Sequence, residues 1–314
     1  MGRKDDGLLL QVSAFHQGGY VLRAHVTNLG LGSNPQGSFE RARAKAALIG
    51  GGQQRRGIEP QQPLSRVGYW LTALSTRLFA RTVAVSDGLL AHIVTHWRAR
   101  PEKCLRVYNP VAAGAGADTA PTRPLAGRAP VALSVGRLVA YKNFPLLLRA
   151  FAQAEPKTAK LIILGEGPER PAIDAEIARL GLADRVILAG YVAEPWPFYA
   201  QADCFALASN FESFGLVIVE ALAHGLPVVA TASDGPAEIL RGGEFGALVP
   251  HHDATALATA LSRAFADRGD PAPRRARARD FSVDAALDAY AALFEAVIAA
   301  PDAGVWAARV CKAR

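Results

Sequence analysis

From Val131 onward, short apolar segments alternate with helical ones, and this alternation constrains the fold more than any other feature of the chain. The apolar segments are Val131–Val135, Lys160–Leu164, Arg185–Leu188, Cys204–Leu207, Pro227–Ala230 and Ala247–Val249. They are too short to be helices and rich in Val, Ile and Leu. Between them lie helical segments at Phe144–Ala154, Glu169–Leu180, Pro197–Ala202, Leu216–His224 and Pro236–Leu240, and Ala254–Ala266 follows. Such alternation predicts an α/β fold, a doubly wound parallel sheet with helices on both faces. Ligands of these sheets bind outside the carboxyl ends of the strands. The chemistry is therefore sought in the loops that leave each strand.

The preceding part of the chain is less regular. Leu8–Ser13 and Tyr20–Thr27 read as strands, Asn28–Ser38 as a loop and Ser38–Leu48 as a helix. Gly50–Pro63 carries no packing signal and reads as mobile. Leu64–Ala80 reads as an amphipathic helix with Tyr69, Trp70, Leu71, Leu74, Leu78 and Phe79 on its apolar face. Such a helix either packs on a sheet, the plainer reading, or makes peripheral contact with a membrane surface. Thr82–Ser86 is a strand, Ser86-Asp87 caps a helix over Gly88–Trp97, and Lys103–Tyr108 is a strand ended by Asn109-Pro110. Ala112–Pro130, rich in Ala, Gly, Pro and Thr, reads as a linker. The expected domains are a reduced N-terminal Rossmann-like domain over 1–111, the linker over 112–130, a C-terminal Rossmann domain over 131–282 and a last helix over 283–300.

Half of the 314 residues are hydrophobic, which suits two domains. The net charge of +7 fits phosphorylated ligands, anionic membranes or nucleic acid, or arginines on solvated faces. No basic–aromatic interleaving or nucleic-acid motif accompanies the charge, so a nucleic-acid partner is not expected. The basic run Arg274–Arg279 reads as a solvated helix face. Cys104, Cys204 and Cys311 are odd in number and far apart, with neither metal spacing nor a disulfide framework. A reducing, cytoplasmic location is expected, and the N-terminus is too short and too acidic for a signal peptide. No run of about 20 uncharged apolar residues is present.

The stretch from Ser209 to Thr231 holds two carboxylates, Glu212 and Glu220, with Phe214 and Gly215 between them and Gly225-Leu-Pro227 after. Gly215 allows a sharp bend at the helix start, and Gly225 with Pro227 ends the helix. Glu220 lies inside an otherwise apolar helix, where an ionisable group is costly without a partner. Main-chain amides over Phe214–Leu216 can hold a diphosphate at the helix N-terminus. The first strand of this region leads to Gly136-Arg137-Leu138 and then Lys142, which puts two cations over the crevice. Arginine offers a fork to phosphate oxygens and lysine a point charge. The second strand leads to Gly165-Glu166-Gly167 and the third to Gly190-Tyr191-Val192, where the backbone can approach a ligand or a base can rest. Either turn alone is a weak signal. Glu220 suits a ribose diol, and Glu212 suits the hydroxyls or developing positive charge of a transferred group. The rival reading, an acid/base pair that hydrolyses plain glycosides, fits the neighbouring cations and helix start less well.

These residues carry a resemblance. Glu212 to Glu220 with Ser213-Phe214-Gly215, then Ala221-Leu-Ala-His-Gly225-Leu-Pro227, resembles the glutamate–seven–glutamate motif of family 4 retaining glycosyltransferases. Gly136-Arg137-Leu138 with Lys142, Gly165-Glu166-Gly167, Gly235-Pro-Ala-Glu238, Val83–Ser86 and Val107–Pro110 follow in the same order. The resemblance implies a GT-B fold, two Rossmann-type domains with parallel sheets, the N-terminal one incomplete. It implies a metal-independent hexosyltransferase with no cofactor beyond a nucleotide-diphosphate sugar, UDP- or GDP-linked. It assigns the diphosphate to Arg137 and Lys142, the ribose to Glu220, and the donor sugar to Glu212 with the Phe214–Gly215 turn. Gly136, Gly165, Glu166, Gly190, Tyr191, Val192 and Leu216 complete the donor side, and His25 and His16 are the acceptor-side candidates. The acceptor would be a glycan or lipid, in surface polysaccharide or lipopolysaccharide assembly on the cytoplasmic face of the inner membrane. The short segment before Thr82 leaves a non-catalytic nucleotide-sugar-binding module as the alternative.

Overall fold

The computed structural model describes residues 8–15, 19–26, 49–52, 81–111 and 128–299. These fall into two compact units, divided after Tyr108 and again after Ala285. The helices expected at Ser38–Leu48 and Leu64–Ala80, most of the linker, and His16 lie outside the described residues.

The first unit holds a sheet of five strands: β1 (Leu8–Phe15), β2 (Gly19–Val26), β3 (Ile49–Gly52), β4 (Arg81–Ala84) and β5 (Cys104–Arg106), paired in that order. β3, β4 and β5 are parallel, and an antiparallel hairpin, β1 with β2, is added beside them. A connection as short as residues 16–18 permits only an antiparallel pair. His25 stands in β2 opposite Leu9. β3 corrects one expectation: Gly50–Gly52, read as part of a mobile segment, pairs with both neighbours. Glycines carry no alternating side-chain signal, so only the main-chain ladder reveals them as strand. Helix α1 (Asp87–His96) is capped by Ser86, whose hydroxyl accepts from the Leu89 amide at 3.2 Å, and Asp87 sits in its first turn. Val83 and Val107 bury themselves with Leu293 and Val297 of the last helix, α9 below.

The second unit holds β6 (Val131–Val135), α2 (Phe144–Gln153), β7 (Lys160–Leu164), α3 (Arg170–Arg179), β8 (Val186–Gly190), α4 (Trp196–Gln201) and β9 (Cys204–Leu207). Then come α5 (Leu216–Ala223), β10 (Val228–Thr231), α6 (Asp234–Ile239), β11 (Ala247–Val249), α7 (Ala254–Ala266) and α8 (Ala272–Arg279); the last helix, α9 (Val283–Ala299), follows and from Ala286 onward belongs to the first unit. All six strands are parallel, in the order β11-β10-β9-β6-β7-β8. Burial on both faces explains their near-continuous apolar sequences. Leu147 and Phe151 of α2, Leu161 and Ile163 of β7, Ile173 of α3 and Leu257 and Leu261 of α7 share one core. Truncating Phe151 to alanine there would cost about 3–5 kcal/mol. The chain leaves β6 toward β7 and β8 on one side, then returns to build β9, β10 and β11 on the other. The reversal falls between β6 and β9, whose carboxyl ends flank the crevice where doubly wound sheets bind ligands.

The basic run on α8 also differs from expectation. Arg277 is buried, with its guanidinium donating to the carbonyls of Ile239 and Glu238 and to Asp280. It occupies the carbonyl end of α6, where a cation complements the helix dipole and satisfies orphan acceptors. A charge period read from sequence does not distinguish this role from a solvated one.

Candidate active site

The loops leaving β6 and β9 meet at the reversal. Lys142 follows β6 and Glu212 follows β9, and their side chains form an ion pair with only 13% and 15% of their surfaces exposed. Seventy residues of sequence separate them; the β6–β9 pairing brings them together. Two asparagines lock the same loops. Asn143 donates to the Asn210 side chain at 2.8 Å, and the Asn210 amide donates to the Tyr141 carbonyl at 2.8 Å. Asn143 also caps α2 from the left-handed region (φ 50°), its Oδ1 accepting from Leu146 at 3.3 Å. Neither asparagine was singled out from the sequence. An Asn two residues before a proline is the available signal for the first, and none exists for the second.

Glycines make the crevice narrow. A Cβ on Gly165 would lie 2.0 Å from the Gly136 carbonyl oxygen, and one on Gly167 would lie 2.3 Å from that of Leu138. Only glycine permits these approaches, so the loops after β6 and β7 stack backbone on backbone. The Gly165 amide donates to the Gly190 carbonyl at 2.7 Å, which ties in the end of β8. Beyond it Tyr191 is 79% exposed, an uncommon state for an aromatic beside a crevice. Glu166 lies over Gly190 and pairs with Arg170 at 3.2 Å. Arg137 is exposed and makes no ion pair among the described residues. Lys142 reaches back over Gly136, whose hypothetical Cβ would lie 3.6 Å from the lysine Cε.

The third wall is the loop into α5. Gly215 is the N-cap in the left-handed region (φ 103°), with no side-chain cap to occupy the first amides of the helix. Phe214 is buried edge-on against Phe281, with ring centroids 5.7 Å apart. The Gly235 amide donates to the Glu212 carbonyl at 3.0 Å, and a Cβ on Gly235 would meet the Phe214 carbonyl at 2.1 Å. This close approach fixes the turn that carries Glu212. Leu216 is 39% exposed, while the next turns of α5 are buried. The hydroxyls of Ser134, Ser209 and Ser233, near the carboxyl ends of β6, β9 and β10, are buried without a hydrogen-bond partner among protein atoms.

Glu220 sits in α5 and has a different partner from Glu212. Tyr199 of α4 donates to its Oε2 at 2.6 Å. Burial raises the Glu220 pKa above the ordinary carboxylate range, and the tyrosine hydrogen bond partly offsets this. The Tyr199 hydroxyl is pushed well above its usual value, first by burial and then by the Glu220 charge. His224 lies one turn on, stacked on Tyr199 and Trp196 with centroids 5.2 and 6.1 Å away. Its Nδ1 is 2.9 Å from the Glu220 carbonyl, which only accepts, so Nδ1 carries a proton. Burial lowers the His224 pKa. Neither Tyr199 nor His224 was singled out by sequence, because an aromatic on a buried helix looks like core. A cleft at the amino ends of β10 and β11, lined by Arg263, Arg274 and Gly246 among others, lies at the opposite edge of the sheet and contains none of the sequence-predicted site residues.

A doubly wound α/β unit with cations, carboxylates and an uncapped helix N-terminus at its reversal point defines a class of proteins that bind ligands at strand carboxyl ends. Residues 120–281, just over half of the chain, match the family described as Glycosyl transferases group 1, and the chain belongs to that family. The lipopolysaccharide core biosynthesis glycosyltransferase LpsE of Rhizobium meliloti is 37% identical over 167 residues, 52% of this chain and 48% of that protein. The D-inositol 3-phosphate glycosyltransferase of Streptomyces coelicolor is 33% identical over 260 residues, 73% of this chain and 57% of that protein. The chain spans about half the length of the curated relatives it matches. Among solved structures, HepE of Anabaena in complex with UDP and glucose superposes with a TM-score of 0.69 at 23% identity, covering 82% of this chain and 74% of that one. A glycosyltransferase from Rickettsia africae gives 0.67 at 18% identity, covering 86% and 85%. The fold is α/β and GT-B-like.

Proposed function

We propose that the chain is a retaining glycosyltransferase, moving a sugar from a UDP- or GDP-sugar to a glycan or lipid-linked acceptor in surface polysaccharide or lipopolysaccharide assembly. The observation that carries this is the Lys142–Glu212 pair at the β6–β9 reversal, beside the uncapped start of α5. In this reading Arg137, Lys142 and the first amides of α5 bind the diphosphate, whose negative charge grows as it leaves. The diphosphate competes with Glu212 for the lysine ammonium, which releases the carboxylate to the sugar hydroxyls. Glu220 accepts from the ribose diol, and the base lies near Gly190–Val192. The leaving phosphate oxygen takes the acceptor's proton, so the sugar keeps its anomeric configuration. No metal takes part, the two cations supplying the positive charge. The names of the relatives support the glycolipid and polysaccharide setting, and HepE, holding UDP and glucose, supports the donor class. The setting is the cytoplasmic face of a membrane; among the described residues no helix is long and apolar enough to cross one.

A thermal-shift panel of UDP-, GDP- and ADP-sugars tests the reading, since specific binding stabilises by mass action. One base should stand out, and transfer should survive a chelator. Transfer unaffected by both Glu212→Ala and Arg137→Ala would overturn the proposal. Donor binding without transfer or donor hydrolysis would mark a binding module instead.

A further inference from the structure

Glu220 is a carboxylate in the middle of an apolar helix, and among the described residues α4 supplies the side chain that hydrogen-bonds it. We propose that Tyr199 is a positioning residue for donor binding: its hydroxyl holds Oε2 of Glu220 and so presents Oε1 to the ribose diol. The inference rests on the donor-site reading above and adds to it a residue outside the crevice. Tyr199 is fully buried, so its hydroxyl cannot turn to solvent. At 2.6 Å the bond to Glu220 is short, while the other acceptor in reach, the Val217 carbonyl, is 3.4 Å away. The hydroxyl has one proton and gives it to the carboxylate. The ring itself is clamped between Phe205 of β9 and His224 of α5, with centroids 5.9 and 5.2 Å away. A carboxylate on a flexible stem would otherwise sample several rotamers, and a hydrogen bond from a clamped donor removes that freedom before the ligand arrives.

The other groups around Glu220 are accounted for. His224, on the same helix, gives its Nδ1 proton to the Glu220 main-chain carbonyl rather than to the carboxylate. α8, which packs on α5, carries Arg274, Arg275, Arg277 and Arg279; Arg274 donates to the Gly225 carbonyl, Arg277 donates to the α6 carbonyls, and Arg275 acts on His224 and lowers its pKa further. α6, in contact with α5, carries Asp234 and Glu238. All of these stay unchanged when only the Tyr199 hydroxyl is removed.

The pH dependence follows with a definite sign. Burial raises the Glu220 pKa and the tyrosine bond lowers it. A protonated Glu220 accepts less well from a diol, so donor affinity falls as pH drops through its pKa. Removing the hydroxyl leaves burial unopposed and moves that fall to higher pH. Tyr199→Phe keeps the ring and its stacking. UDP-glucose and GDP-mannose serve as probes because their diphosphate diesters do not titrate in this range. Whichever one wild type binds should bind Tyr199→Phe about tenfold more weakly at neutral pH, the size expected for one hydrogen bond to a charged group. The acid limb of its affinity–pH curve should move upward. In a Glu220→Gln background, Tyr199→Phe should change neither affinity nor the pH profile. Equal weakening at every pH, or the same loss in the Glu220→Gln background, would show a merely structural tyrosine and overturn the proposal. Carboxyl carbon-13 NMR of Glu220 separates the two levels. If its pKa rises in Tyr199→Phe while wild type binds neither probe, the hydrogen bond stands but the donor-site reading fails, and the positioning role with it.

Discussion

β6 and β9 carry an ionic cluster at each end, and the two are built differently. At the amino end, Asp203 is fully buried and accepts from both terminal nitrogens of Arg128, from Arg268 at 3.1 Å and from the Val131 amide at 2.8 Å. Each of its oxygens is occupied. At the carboxyl end, Glu212 takes one ammonium from Lys142, and both side chains keep a window to solvent. A buried carboxylate with every acceptor site filled has nothing left to bind and serves to fix strands. A partly exposed one with a single partner has capacity to spare for a ligand. Saturation, more than charge or burial, separates the structural end of this sheet from the functional one.

The contrast can be broken from either side. Glu212→Ala should lower transfer by about a thousandfold, roughly 4 kcal/mol of transition-state stabilisation. Its melting temperature should fall less than that of Asp203→Ala, because both partners keep an edge in water and the freed ammonium can turn to solvent, whereas Asp203 is fully enclosed. Asp203→Ala should behave the other way. Removing one member of a buried, hydrogen-bonded cluster costs about 3–5 kcal/mol, seen as a lower denaturant midpoint, while the folded fraction still binds donor. A strong loss of donor affinity in folded Asp203→Ala would show that the two ends are not separable. Gly165→Ala should fall between them. Its new methyl would collide with the Gly136 carbonyl at a left-handed position (φ 140°), costing about 1–3 kcal/mol and widening the crevice, so stability and donor affinity should drop together.

Glu220→Gln gives the smallest effect on stability and probes the cost of burying the carboxylate. Because burial raises its pKa, the folded state binds its proton more tightly than the unfolded chain does. Its contribution therefore favours folding at low pH and is lost as pH rises from the ordinary carboxylate range through the raised value. Glu220→Gln should flatten that decline in a urea-melt series against pH. His224, with its pKa lowered, works oppositely: its contribution is present above the ordinary imidazole value and is lost as pH falls from there through the lowered value. That second limb should survive in Glu220→Gln.

Much of the second unit was legible. Val131–Val135, Lys160–Leu164, Cys204–Leu207 and Ala247–Val249 are strands with the bounds the apolar runs suggest, and the helices between them differ by a residue or two at their ends. Buried parallel strands write their burial into an unbroken apolar sequence. Gly215 and Gly225 mark the two ends of α5 because glycine takes those left-handed positions without the strain a side chain brings. β3 was invisible, since glycines have no side chain to alternate. Arg277 was misread, since a buried guanidinium on helix carbonyls and a solvated one have the same sequence signature.

The sequence alone determined the parallel strands, the helix that carries Glu220, and the residue types that gather at strand carboxyl ends. Those are local properties, set by apolar runs and by glycine's access to conformations that other residues avoid. Only the tertiary structure decided that Lys142 meets Glu212, because strand order is a long-range choice that no local pattern encodes. It also decided that Glu220 answers to Tyr199. A buried hydroxyl and a buried carboxylate must find each other, but the helix packing chooses which pair does so.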